Sequence, residues 1–446
     1  MNTKLLKQKI LDLAIHGKLV PQNPDDEPAS QLLRRISEEK EKLIAQGKIK
    51  RPKKSDALNP AQECPFEIPN SWEWVRLGEI CELITKGSSP SWQGINYVNE
   101  GILFVTSENV GNEELLLSKT KYIEPKFNEI QNRSILKKGD ILTNIVGASI
   151  GRTAIFDLNI DNANINQAVA LVRLINLDLN IYLVKVLNSQ MVIGQMTENT
   201  VNTARANISL TTVENLLIPL PPLAEQQRIV SAIEKWFSLI DEIETNKESL
   251  QAAIKQTKSK VLDLAIKGKL VKKTDEWKTC SLRDVCSFGN GYAFSSGDYK
   301  KEGTPLIRIS NIQQQNVDLT DAVCVQGNYP EQYVVKKGDL LIAMSGATTG
   351  KMGVYQNDVK AYLNQRVGNI RIRDINVLHP LFRNYFLQSK SAYILEKAYG
   401  GAQPNISANM IMNIEISLPP LAEQTRIVSK IEEVFALLDE IERELA

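Results

Sequence analysis

The feature that most restricts how this chain can fold is a repeat whose order is circular. Leu220-Pro-Pro-Leu-Ala-Glu-Gln-Gln-Arg-Ile-Val230 returns as Leu418-Pro-Pro-Leu-Ala-Glu-Gln-Thr-Arg-Ile-Val428, an offset of 198 residues. The match runs on through Leu239-Ile-Asp-Glu-Ile-Glu244 and Leu437-Leu-Asp-Glu-Ile-Glu442. A second segment, Leu11-Asp-Leu-Ala-Ile-His-Gly-Lys-Leu-Val20, returns as Leu262-Asp-Leu-Ala-Ile-Lys-Gly-Lys-Leu-Val271. The middle of the chain therefore holds both segments in succession, and the two ends hold one each. Internal repeats of this kind mark duplicated structural units. If the C-terminal helix meets the N-terminal one in space, the two rebuild a copy of the middle segment, and one chain acquires an approximate two-fold axis.

Between these segments lie two similar stretches, 65–218 and 272–417. Their shared landmarks are Lys137-Lys-Gly-Asp-Ile-Leu142 and Lys336-Lys-Gly-Asp-Leu-Leu341, Gly147-Ala148 and Gly346-Ala347, Asn166-Gln167 and Asn364-Gln365, and Asn207-Ile-Ser209 and Asn405-Ile-Ser407. Short apolar runs read as strands: Gly101–Thr106, Asp140–Val146 and Ala168–Arg173, with partners Thr304–Ile309, Asp339–Met344 and Val367–Ile372. Lys-Lys-Gly-Asp reads as a tight turn feeding a strand. The fold class expected is α+β: two tandem pseudo-symmetric α/β domains joined by long antiparallel coiled-coil helices. The divisions are an N-terminal helix (1–20), a Glu/Lys-rich helix and basic linker (21–64), a first domain (65–218), a central helix (219–271), a second domain (272–417) and a C-terminal helix (418–446).

The central segment carries a seam stepping by four and three: Ile229, Ile233, Trp236, Ile240, Ile243, Leu250, Ile254, Thr257, Val261 and Leu264, with Lys247 in one slot. Such a seam, sustained over about five heptads, is the signature of a coiled coil. Pro221 and Pro222 suit a first helical turn, and Gly268 and Gly17 suit helix ends. A helix over 222–266 would be roughly 65 Å long. Ile427, Ile431, Val434, Leu438 and Ile441 continue the pattern at the C-terminus, and Leu6, Ile10 and Leu13 at the N-terminus. All seam residues are expected in the core. The charged outer faces (Glu234, Lys235, Asp241, Glu242, Glu244) are surfaces on which partners could dock. The first half alone carries an added helix, about 29–46, and a basic run, Lys48-Ile-Lys-Arg-Pro-Lys-Lys54, which is either a phosphate contact or a solvated linker.

The loops of the two domains are dense in Asn, Gln, Ser, Thr, Lys and Arg, side chains suited to base edges and phosphates. Candidates for a DNA-reading face in the first domain are Lys86, Ser88, Ser89, Asn144, Ser149, Arg152, Asn166, Gln167 and Arg205. In the second they are Asn290, Tyr292, Arg308, Asn311, Ser345, Thr348, Lys351, Asn364, Gln365 and Arg366. The Asn-Gln pairs match so closely that structural bonding and a shared DNA contact stand as equal alternatives. Net charge is +1, with 53 basic and 52 acidic side chains. That balance is unlike a basic nucleic-acid binder, but it averages over faces and does not decide the matter. It leads us to expect weak DNA affinity for the chain alone.

Catalytic motifs are absent where they were sought. Gly147-Ala-Ser-Ile-Gly-Arg-Thr153 and Gly346-Ala-Thr-Thr-Gly-Lys351 space their glycines too closely for a phosphate-binding loop, and Met352 replaces the needed hydroxyl residue. The two histidines, His16 and His379, do not make a metal site with scattered cysteines, and His16 aligns with Lys267 as a surface position. Asp25 with Glu38-Glu-Lys40 imitates a nuclease pattern inside a polar helix and carries no weight. No apolar run spans a membrane and no secretory signal opens the chain, so a cytoplasmic location is expected. Five cysteines without a CxxC pair read as free thiols.

Taken together, the Pro-Leu-Pro-Pro-Leu-Ala-Glu-Gln-x-Arg-Ile-Val helix starts, the Leu-Asp-Leu-Ala-Ile-x-Gly-Lys-Leu-Val segments, the Lys-Gly-Asp and Asn-Gln landmarks and the circular order resemble the specificity subunits of Type I restriction–modification systems. The resemblance covers nearly the whole chain. It implies two target-recognition domains on double-stranded DNA, each reading half of a bipartite site, with paired helices setting the unread gap. Half-sites one helical turn apart lie ~34–36 Å centre to centre, which such a rod spans. It also implies docking of two modification (methyltransferase) subunits and of restriction/translocase subunits. S-adenosylmethionine, ATP and Mg would belong to those partners, with no cofactor, metal or catalytic residue in this chain. The alternatives from the residues alone are a fused methyltransferase or nuclease, and a non-DNA coiled-coil scaffold with two interaction domains.

Overall fold

The computed structural model describes residues 2–51, 64–198, 207–313, 315–346, 348–398 and 404–445. The chain divides into two compact units, Met1–Thr245 and Asn246–Ala446. The boundary falls inside a single helix.

In the first unit, helices α1 (Thr3–Ile15) and α2 (Ala29–Ala45) precede the strands β1 (Glu73–Arg76), β2 (Cys81–Lys86), β3 (Tyr97–Val98), β4 (Ile102–Val105), β5 (Tyr122–Ile123), β6 (Ile141–Asn144), β7 (Thr153–Ile155), β8 (Ala163–Ile165) and β9 (Val169–Leu174). Helices α3 (Asn180–Leu187) and α4 (Gln190–Thr197), strand β10 (Leu217–Leu220) and the long helix α5 (Leu223–Ile266) follow. A central antiparallel sheet has the order β2-β9-β6-β7, and a smaller sheet the order β3-β5-β4-β8, with β4 and β8 parallel. β1 pairs with β10, which leads into α5.

The expected strands are present, and their apolar character is continuous for a physical reason. Ile141, Ala170 and Val172 face a core shared with α1, α2, α3 and the start of α5. Leu142, Val169 and Leu171 face a second core shared with Val105 and Ile165 of the smaller sheet. Successive side chains point to opposite faces, so a sheet covered on both sides reads as an unbroken apolar run.

The second unit repeats this plan. Its strands are β11 (Lys278–Ser281), β12 (Cys286–Asn290), β13 (Thr304–Ile307), β14 (Gln315–Asn316), β15 (Cys324–Val325), β16 (Val334–Val335), β17 (Leu340–Ala343), β18 (Met352–Val354), β19 (Ala361–Leu363), β20 (Val367–Ile372) and β21 (Glu415–Leu418). The central sheet runs β12-β20-β17-β18-β14 and the smaller one β15-β13-β19-β16. Helices α6 (Pro380–Ser389), α7 (Ser391–Ala398) and α8 (Leu421–Glu444) complete it. Leu340 and Ile342 face the helices, and Leu341 and Ala343 the smaller sheet.

The repeated motifs turn out to be joints of the scaffold. Glu225, buried at the start of α5, accepts hydrogen bonds from the Trp72 indole (3.0 Å) and from Gln22 (2.6 Å). Its counterpart Glu423 accepts from the Trp277 indole (3.2 Å) and the Thr274 hydroxyl (2.9 Å). The carboxamides of Gln226 and Gln424 donate to the carbonyls of Pro221 and Pro419, both at 2.9 Å. In the Lys-Gly-Asp turns, Gly139 and Gly338 have φ of 94° and 88°, a region that favours glycine. Asp140 accepts from Arg173 through Nε and Nη2, both at 2.7 Å, and from the Lys137 backbone at 2.7 Å. Asp339 does the same with Arg371 Nη2 (3.0 Å) and Lys336 (2.9 Å), and also accepts from Asn369 (2.6 Å).

The helix ends repeat as well. Gly17 and Gly268 (φ 66° and 67°) close α1 and α5 with paired bonds, Gly17 to Ala14 and Lys18 to Leu13 in one, Gly268 to Ala265 and Lys269 to Leu264 in the other. This is the two-bond glycine stop that satisfies orphan carbonyls. In the first unit α1 packs antiparallel to the start of α5, with Lys7 paired to Asp241 and Thr3 to Glu244. In the second, α8 packs antiparallel to the end of α5, with Lys258 paired to Asp439 (2.6 Å) and Glu442 (2.8 Å).

Two expectations need correction. The seam is not wholly core: Trp236, Ile243 and Leu250 are 50, 46 and 42% exposed, and Leu6, Thr257 and Ile441 are exposed too. Periodicity records where a partner could pack, but not where one does: Ile233 and Ile240 are covered while Trp236 between them is not. His16 is not a free surface residue; it stacks on Phe66 with ring centroids 3.8 Å apart. The added helix α2 is anchored by Leu32 and Ile36 and by Lys40, which donates to the Gly78 carbonyl at 2.6 Å. Of the basic run that follows it, 52–54 lie outside the described residues.

Two predictions follow from the buried carboxylates. Asp140→Ala strands a buried guanidinium and is expected to lower unfolding free energy by about 3–5 kcal/mol, whereas Asp140→Ala with Arg173→Met recovers much of that loss. Urea unfolding of the singles and the double closes the cycle. Burial raises the Glu225 carboxyl above its ordinary range. At Glu423 burial also acts upward, but the bonds from Thr274 and Trp277 outweigh it and hold the group low. Ionisation of Glu225 thus costs stability as pH rises, and ionisation of Glu423 adds it. As pH rises above the ordinary glutamate value of 4.5, Glu225→Gln should therefore gain stability relative to the native chain; as pH falls below that value, the native chain loses what Glu423 contributes and the disadvantage of Glu423→Gln should shrink.

Candidate nucleic-acid interface

The strands of each central sheet deliver their loops to one end of it. In the first unit β2 ends at Lys86 opposite Ala170, and β6 ends at Asn144 opposite Val169. The β6–β7 loop and the turn before β9 therefore sit side by side. β4 and β8 end in the same place, since the Asn166 N–H donates to the Val105 carbonyl (3.0 Å) and Asn144 Nδ2 to the Ser107 carbonyl (2.9 Å). Val146 also bridges to Asn207. The second unit has the same arrangement: Asn290 opposite Gly368, Ala343 opposite Val367, Asn364 bonded to Ile307 (3.0 Å), and Ser345 bridged to Asn405.

Close backbone approach builds these clusters, and glycine permits it. A Cβ at Gly87 would lie 1.7 Å from the Ile165 carbonyl oxygen, and one at Gly291 would lie 2.1 Å from that of Asn364. The loops beginning at Lys86 and Asn290 are thereby pressed onto the Asn-Gln turns.

The predicted residues separate into two groups on this face. Lys86, Arg152, Asn290, Lys351, Gln365 and Arg366 are exposed. Ser88 accepts from Gln93 (3.2 Å), and Ser89 bonds Ser91 (2.9 Å). Tyr292 is 38% exposed and rests on Phe294, Tyr329 and Tyr333, with centroids 4.9–5.3 Å apart. Arg308 lies over the Tyr299 ring at 5.5 Å, a cation–π distance. Ser345 Oγ, Thr348 Oγ1 and Arg308 Nε are buried without a partner among the described residues. Arg205 lies outside the described residues.

The second group is scaffold, which corrects the sequence reading. Asn144 is fully buried; its amide holds the Ser107 carbonyl and Ser149 Oγ (3.2 Å). Asn311 is buried and accepts from the Arg308 N–H (3.0 Å) while donating to the Asp318 carbonyl (3.1 Å). Asn364 is buried and accepts from the Arg366 N–H (3.3 Å). Asn166 accepts from the Ala168 N–H (3.0 Å). Asn166, Asn311 and Asn364 each close a turn locally, as a short amide readily does, while Asn144 ties the end of its strand to the distant Ser107. Through these bonds the side chains shape the face.

Sequence reasoning missed two residues. Asn109 is buried and accepts from Thr106 N–H and Oγ1 (both 3.0 Å), the first-unit equivalent of Asn311; the common Ser-Glu-Asn-Val and Ser-Asn-Ile patterns were the available signal. Trp92 is 72% exposed beside the Ser88–Ser89 loop, a position no pattern announces. The loops that faintly imitated a phosphate-binding motif connect β6 to β7 and β17 to β18. They lead into strands, not into the helix N-terminus that such a motif requires.

Comparison with known proteins gives this geometry its context. The family profile for the Type I restriction modification DNA specificity domain matches twice, over 69–252 and 274–446. The Type I restriction enzyme EcoAI specificity subunit of Escherichia coli is 26% identical over 97% of this chain and 88% of its own length. The MjaVIII specificity subunit of Methanocaldococcus jannaschii is 25% identical over 84% and 88%. In fold, the chain resembles the HsdS subunit of Thermoanaerobacter tengcongensis, at a TM-score of 0.56, 20% identity and coverage of 86% and 94%. It also resembles a chain solved in work on the assembly of a type I R-M system, at 0.67, 21%, and 85% and 94%. With the domain matched once in each half, across the very segments that carry the two loop clusters, this chain belongs to the Type I restriction–modification DNA specificity family.

Proposed function

We propose that this chain is the sequence-reading, non-catalytic subunit of a Type I restriction–modification enzyme, and that each unit reads one half of a bipartite site in double-stranded DNA. The observation that carries this is the duplicated loop cluster. The same end of the same sheet appears in both units, on the same turns, with different side chains outward. Lys86 and Ser88 in one stand where Asn290 and Tyr292 stand in the other, and Arg152 stands where Lys351 stands. Such residues donate to phosphates and read base edges in the major groove. The joining helix α5 would set the unread gap.

The exposed charged faces of α1, α5 and α8 are the surfaces on which we place two modification subunits and the restriction/translocase subunits. S-adenosylmethionine, ATP and Mg would be bound by those partners. The family assignment favours this reading over a non-DNA scaffold. No helix among the described residues is long and apolar enough to cross a membrane.

Mapping methylated adenines in the source genome, with and without the gene, tests the function directly. Loss of one motif made of two short half-sites around a fixed gap is the expected result; an unchanged map in cells that make the complex would refute it. Replacing Lys86, Ser88, Ser89 and Arg152 together by alanine should relax or abolish recognition of one half-site only. Replacing Asn290, Tyr292, Lys351 and Arg366 should affect the other. Sequencing of methylation sites reads both outcomes.

A further inference from the structure

Each loop cluster has the same turn at its middle. In the first unit this turn holds Asn166-Gln167 and in the second Asn364-Gln365. The Asn residues are engaged: their N–H groups bond to the ends of β4 and β13, and their Oδ1 atoms close the turn. Flanking loops lock it from both sides. Gly87 and Gly291 press against it, and the Ile145 and Met344 N–H groups donate to the Ala168 and Arg366 carbonyls (both 2.9 Å). The Gln residues are different. Neither carboxamide has a hydrogen-bond partner among the described residues, and neither side chain is buried.

Around this turn the neighbours differ between units, Lys86 against Asn290, Ser88 against Tyr292 and Thr106 against Arg308. On the function proposed above, units that differ there read different bases. A side chain kept the same, on a turn kept the same, suits a partner that does not change with sequence. In DNA that partner is the sugar-phosphate backbone, to which a glutamine amide donates well. We propose that Gln167 and Gln365 are a matched pair of backbone contacts, one in each half-site, that seat both units in the same register whatever bases the surrounding loops read. This rests on the DNA-reading function proposed above. If the methylation map shows no lost motif, that function fails; if the motif is lost but the results below differ, only this inference fails.

The test uses the full chain with the subunits that copurify with it, and duplexes carrying the mapped motif, single-base variants of it, or neither half. Gln167→Ala and Gln365→Ala should each weaken binding about five- to tenfold, by the same factor on every duplex, with unchanged base preference and salt slope. Gln→Glu at either place should weaken it further, and its deficit should shrink as salt screens the carboxylate from the phosphates. Circular dichroism should show both variants folded, since the side chains are accessible and unbonded. A loss confined to one base pair, or a new preference for cytosine in the Glu variants, would mean base reading and overturn the proposal. Unchanged affinity in both Ala variants would overturn it as well.

Discussion

Asp140 accepts two hydrogen bonds from the Arg173 guanidinium and one from the Lys137 backbone, in a place water barely reaches. The pair joins the entry of β6 to the strand β9 beside it, and so sets the register of the central sheet. Register matters here more than in most sheets. A slip of one residue would exchange the helix-facing core for the sheet-facing one, and both are mostly apolar. Hydrophobicity alone would then penalise the error weakly, so the polar joint has to specify what it leaves open. Asp339 and Arg371 repeat the device in the second unit.

A second joint fixes each domain to its helix. Glu225 and Glu423 stand at helix starts, where carboxylates favour the helix dipole, and each is buried under a tryptophan indole. The most conspicuous words in the repeat, Leu-Ala-Glu-Gln and Lys-Gly-Asp, are thus scaffold and not reading residues. This separates the two halves of the protein's task. What recurs holds the loops in place, and what differs between the repeats faces outward. The Asn-Gln turn is the exception, since both residues recur: the Asn amide closes the backbone and the Gln carboxamide has no hydrogen-bond partner among the described residues.

Much of this architecture was legible because burial and backbone geometry leave local marks. Apolar runs of strand length predicted β6, β9, β17 and β20, and prolines and glycines predicted the limits of α5 within a residue or so. The reading face was legible as loops, but not residue by residue. Asn144, Asn311 and Asn364 have the same composition signal as a base-reading amide, and they point it at neighbouring backbone instead. Whether an amide is inward or outward depends on which backbone reaches it: Asn144 is held by Ser107, 37 residues away, Asn311 by Asp318 and Asn364 by the Arg366 N–H. Trp92 was invisible for the converse reason, since an isolated tryptophan in a polar loop gives no sign that nothing covers it.

The amino-acid sequence by itself determined the duplication, its circular order, the long helix and the family, because each of these is written as a spacing or a repeated word. Tertiary structure alone decided which seam residues are covered, where Trp236, Ile243 and Leu250 stand open to solvent. It also decided that Lys7 meets Asp241 as Lys258 meets Asp439, pairs whose members lie 234 and 181 residues apart. And it gathered the ends of β2, β4, β6 and β8 in one place in the first unit, and the matching strand ends in the second. Those outcomes depend on which distant segment supplies the other half of a contact, and a linear pattern carries the demand for a partner without naming it.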